Sequence, residues 1–74
     1  MRMTSYYSIG TLVVVRVPIQ PQTKMLAPFN GTIHRIKAWR PFSGGLYMYM
    51  LEDCVSEYGV PYWFADDWLV EVVE

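Results

Sequence analysis

Hydrophobic and polar positions along this chain repeat with a period of two, and no stretch shows the 3.6-residue spacing of an amphipathic helix. "GTLVVVRV" is β-branched, and Arg16 falls between Val15 and Val17, so Val13, Val15 and Val17 are expected to share the inward face of a first strand. "PIQPQTKMLAP" follows. Its prolines, Pro18, Pro21 and Pro28, argue against a central strand or a helix, so an extended loop is predicted, long enough at 11 residues to carry binding contacts. "NGTIHRIKAWR" opens on a turn-forming Asn30-Gly31 pair and continues as a second strand. Ile33 and Ile36 are three apart, so both face inward only if a bulge intervenes near His34 or Arg35. "PFSGG" is a tight connection. In "LYMYMLED" an outward Glu52 puts Tyr47, Tyr49 and Leu51 inward and leaves Met48 and Met50 on the outer face, an apolar load that looks underemployed in a monomer. "CVSEYG" is the next turn, "PYWF" a short fourth strand, "ADDW" one turn of helix and "LVEVV" a fifth strand.

Five short strands, a long loop between the first two and one helical turn before the last predict an all-β fold: a small five-stranded SH3-like barrel occupying residues 1–74 as one domain. Gly10 ahead of the first strand, "FNGTI" leading into the second, "YMYML" in the third and "YWFADDWL" thereafter resemble the pattern of Tudor-type and KOW-type barrels and of small SH3-like proteins encoded by phages. The resemblance spans roughly residues 8 to 73 and rests on the order of elements. The acidic aromatic run of peptide-binding SH3 domains is absent, since the loop here carries Lys24 and no acid, which argues against proline-rich ligands.

Composition narrows the class. Of the 74 residues 53% are hydrophobic and 16% aromatic, too apolar for disorder and near the lower size limit for a self-sufficient core, so a monomer or small homo-oligomer is expected. The longest uncharged stretch, from Met3 to Val15, is shorter than a bilayer span and broken by polar residues, and no signal-peptide pattern is visible. With Cys54 as the single cysteine no internal disulfide can form, and a cytoplasmic location is expected. The net charge of −1 conceals a division, because all six basic residues precede position 52 and all seven acids lie at or beyond it. Either the two halves cancel across strands or the surface is dipolar.

Chemistry-bearing groupings are sparse. His34 and Cys54 stand alone, without the spacing of a metal site or a catalytic triad, so no enzyme, metal or cofactor is expected. Tyr58, Trp63 and Trp68 with Asp66 or Asp67 could imitate the cation-binding aromatic cage of a Tudor-type domain, although core packing and a barrel seal account for most of these rings. Asp66 is the candidate cap of the helical turn. "HRIKAWR" is the strongest candidate: Arg35, Lys37 and Trp39 alternate onto one face with Arg40 near the edge, and Met48 and Met50 adjoin them from the next strand. Such a stripe suits phosphates and bases or an acidic protein surface; a pI near 5.7 favours protein over nucleic acid. The similarity to phage barrels implies an accessory protein that docks on, and inhibits, a bacterial defence protein such as a CRISPR nuclease. A KOW-like or Tudor-like nucleic-acid module is the alternative.

Overall fold

The computed structural model describes residues 7–73. Five strands, β1 (Leu12–Val15), β2 (Ile33–Pro41), β3 (Tyr47–Val55), β4 (Pro61–Ala65) and β5 (Leu69–Glu71), form one antiparallel sheet in the order β4-β3-β2-β1-β5. The sheet curls into a half-barrel, so the small all-β class is as expected and the arrangement is compatible with an SH3-like barrel. A 3-10 turn, Asp66–Trp68, links β4 to β5.

Inside the curl lie Val13, Val15, Val17, Leu26, Ile36, Tyr49, Leu51, Cys54, Phe64 and Leu69, the faces that alternation assigned to β1, β3 and β4. Tyr47, Tyr62 and Trp68 pack partly buried against this cluster. Tyr49 is fully buried, and its hydroxyl accepts a 2.9 Å hydrogen bond from the Tyr7 backbone N–H, which offsets the cost of burying a phenol.

Two bulges decide which residues reach that core. Register slips between Ile36 and Ala38, leaving Lys37 as the extra residue of β2, so the bulge lies beyond the His34–Arg35 site expected for it. Ile33 consequently faces outward, 55% exposed, because the unbroken alternation from Ile36 sends odd-numbered positions to solvent. The β3–β4 ladder slips between Met50 and Val55, and Asp53 there takes φ 65°. This left-handed residue lets Leu51 and Cys54, three apart, both point inward, so β3 runs on through Cys54, where a turn was expected to begin.

The prolines of the first long connection also admit more order than expected. Pro21–Phe29 forms a 3-10 helix. Pro21 occupies its first turn, where a missing N–H costs nothing. The Thr23 hydroxyl accepts from the Gln20 N–H at 2.9 Å and donates to the Pro18 carbonyl at 2.7 Å, fixing the helix start. Leu26 then drops into the core. At the far end the Asn30 side-chain amide accepts from Val17 N–H (2.7 Å) and donates to Val17 C=O (3.0 Å), extending the β1–β2 ladder with a side chain in place of backbone.

Candidate functional site

The bulge at Lys37 rearranges the basic stripe. Arg35 stays on the outward row, but its Nη1 donates to the Gly10 carbonyl at 2.8 Å, tying β2 to the segment before β1. Lys37 projects from the bulge and is exposed. Past the extra residue the faces exchange: Trp39 pairs with the buried Tyr49, packs on the core and meets Tyr47 edge-on at 5.3 Å. Arg35, Lys37 and Trp39 therefore do not share a face, contrary to the alternation expected of them, because a bulge inverts every position beyond it.

Arg40, also past the bulge, pairs with Met48 on the outer face, and Ala38 pairs with Met50. Met48 and Met50 pair in turn with Ala65 and Trp63 of β4. The result is two adjacent cross-strand rows, Ala38–Met50–Trp63 and Arg40–Met48–Ala65, on the side of the sheet away from the core. The Arg40 guanidinium lies 4.4 Å over the Trp63 ring, a cation–π contact that orients both groups. Apart from Arg40, which is exposed, every member of the rows is half-buried, and none belongs to the core cluster. Arg40, Met48 and Met50 are thus brought together as expected, joined by Trp63. Strand pairing between β3 and β4 was the signal that would have added Trp63.

Beside these rows the β2–β3 hairpin holds up two large apolar side chains. The Phe42 N–H donates to the Leu46 carbonyl at 2.7 Å, and Gly44 and Gly45 between them both have φ 74°, a conformation only glycine adopts without strain. Phe42 and Leu46 are 54% and 50% exposed. With Tyr47, Met48, Ala65, Asp66 and Asp67 they line a pocket of about 200 Å³ that opens next to the outer-face rows.

The cage residues are dispersed. Tyr58 sits in the β3–β4 turn, 84% exposed; Trp63 is on the outer face; Trp68 packs against the core. No two of these rings touch among the described residues. Alternation in β4, which sends Phe64 in and Trp63 out, separates them. Asp66 is not the cap of the 3-10 turn, since Ala65 occupies that position; Asp66 and Asp67 fall in the first turn, facing the electropositive end of the short helix.

His34 is engaged structurally. Its Nε2 lies 2.7 Å from the Thr32 hydroxyl, which also donates to the Phe29 carbonyl. Phe29 packs edge-on against the same ring. Cys54 is fully buried, and burial, reinforced by the neighbouring Asp53 carboxylate, pushes its thiol from 9.0 up to about 11, away from nucleophilic use. No group of three or more His, Cys, Asp or Glu able to hold a metal occurs among the described residues. Nor is any helix among them long and apolar enough to cross a membrane. Arg16, Lys24, Lys37 and Arg40 make no ion pair with an acid among the described residues.

Comparison with known protein families, with curated proteins and with solved structures finds no match to this chain.

Proposed function

We propose that the protein is a non-enzymatic SH3-like binding module that docks on another protein through the outer face of β2, β3 and β4. One observation carries this reading: Arg40 stacked on Trp63 beside half-buried Met48 and Met50. Tryptophan, arginine and methionine are the side chains enriched where protein interfaces bury their centre. Methionine adapts its shape to a partner, and a guanidinium already held over a ring loses little freedom on binding.

Nucleic acid is the weaker fit. Phosphate binding needs several unengaged cations on one surface, whereas Arg35 is tied to Gly10, Lys37 stands on the bulge, and the net charge is −1. The resemblance to phage-encoded barrels extends the proposal to an accessory protein that blocks a bacterial defence protein such as a CRISPR nuclease. Loss of interference on expression in a bacterium carrying such a system would support that extension, and unchanged interference would oppose it.

The docking surface is tested by affinity capture with the tagged wild type, Met50→Glu and Trp63→Ala, alongside a gel-shift titration with generic DNA and RNA at low salt. A protein captured by wild type and lost from both folded variants supports the reading. A gel shift lost on Arg40→Glu would replace it with nucleic-acid binding.

A further inference from the structure

Asn30 is the one asparagine of the chain, and a glycine follows it. In that pairing a peptide nitrogen most readily attacks the preceding side-chain amide, because glycine has no Cβ to hinder its own nitrogen. Both residues are exposed, at the corner where the 3-10 helix Pro21–Phe29 gives way to β2. The folded corner restrains both reactants. The Gly31 N–H donates to the Val15 carbonyl at 2.9 Å, which keeps its proton from water. The Asn30 side chain is held at two points, Oδ1 by the Val17 N–H at 2.7 Å and Nδ2 by the Val17 carbonyl at 3.0 Å.

We propose that Asn30 is a site of spontaneous deamidation, latched by the Val17 backbone, which reacts only when this corner opens and cannot be latched again afterwards. The inference is independent of the docking reading. On opening, hydroxide takes the Gly31 amide proton and the freed nitrogen attacks Cγ of Asn30. The Cγ–Nδ2 bond breaks, ammonia leaves with a proton from water, and a five-membered succinimide remains. Water then opens the ring, at Cγ to give aspartate or at the backbone carbonyl to give isoaspartate. The sum is side-chain amide plus water to carboxylic acid plus ammonia, with nothing oxidised or reduced. Either product lacks the hydrogens that Nδ2 donated, and a carboxylate oxygen opposite the Val17 carbonyl sets acceptor against acceptor. The two Asn30 bonds extend the β1–β2 ladder where backbone pairing stops, so their loss loosens that seam. Isoaspartate also lengthens the main chain by a methylene at the same point. The modified fraction therefore records, one way, how often the corner has opened.

The test follows the intact mass of the full chain at mildly alkaline pH, in native buffer and in unfolding urea, with peptide mapping to place the change. Conversion at Asn30 should be at least about tenfold faster in urea than in native buffer, because the folded reaction waits on a hydrogen-bonded corner to open. Gly31→Ala should slow the urea reaction severalfold; it is compared in urea alone, since a φ of 81° disfavours any side chain there in the fold. Asn30→Asp imitates one product. It should melt below wild type, and its Val17 and Gly31 amides should exchange with deuterium faster. Equal rates in buffer and urea, an unchanged urea rate in Gly31→Ala, or no conversion at Asn30 in urea would each overturn the latched site. Melting and exchange like wild type in Asn30→Asp would overturn the one-way step.

Discussion

The two faces of the β2–β3–β4 sheet are built from the same strands and differ in how completely they are used. On the inner face Ile36, Tyr49, Leu51 and Phe64 are fully enclosed, and each hydroxyl or thiol there is either hydrogen-bonded or kept neutral. On the outer face Ala38, Met48, Met50, Trp63 and Ala65 are just as apolar, yet they remain half-buried. Phe64 and Trp63 are adjacent in sequence and separated by one pleat. Composition does not distinguish the faces; curvature does, since a half-barrel encloses one side only. An apolar surface left part-open by its own fold, and organised by a stacked arginine, is what a docking surface requires.

Truncation breaks the comparison most directly. Phe64→Ala should cost about 3–5 kcal/mol, a large part of the stability of so small a domain, and should melt far below wild type in a thermal scan. A melt like that of wild type would place Phe64 outside the core and erase the distinction between the faces.

The inner face also makes a pH prediction. With the Cys54 thiol raised from 9.0 to about 11, the folded state holds a proton that the unfolded chain has already lost between those values. Stability should therefore be unaffected below about pH 9 and fall by roughly 2–3 kcal/mol as pH rises to 11. Cys54→Ala should lack this component. Identical alkaline profiles for wild type and Cys54→Ala in urea melts would show that the thiol is not enclosed.

Smaller effects test the bulge that puts Leu51 and Cys54 on one face. Asp53 is the one described non-glycine residue with positive φ, so Asp53→Val should cost on the order of 1–2 kcal/mol, and Asp53→Gly should be neutral or stabilising. Smallest of all, Arg40→Ala should change stability by about 0.5–1 kcal/mol, the size of an exposed cation–π contact, and leave the fold intact. A loss as large as that of Phe64→Ala would make Arg40 a structural residue.

Much of the inner face was legible in the sequence because period-two alternation needs only one anchor per strand: Arg16 oriented Val13, Val15 and Val17, and Glu52 oriented Tyr47, Tyr49 and Leu51. Alternation carries no mark of where an extra residue sits. Ile33 and Ile36 invited a bulge between them, whereas the strands slip at Lys37 and near Asp53, positions set by pairing with neighbours distant in sequence. The candidate site inherits that difficulty. Trp39 changed faces with the slip, Arg35 found a backbone carbonyl 25 residues away, and Trp63 joined Arg40 only through two ladders. The proline-rich stretch was misleading for another reason: proline excludes an α-helical interior but is compatible with a first turn and with 3-10 geometry.

An outer face that docks on a protein while contributing little to folding makes a specific prediction for Met50→Glu, measured for thermal stability and for capture of the wild-type partner side by side. A melting temperature close to wild type with capture abolished is the predicted result. Full capture by the folded variant would contradict the claim, as would a loss of capture that merely tracks unfolding.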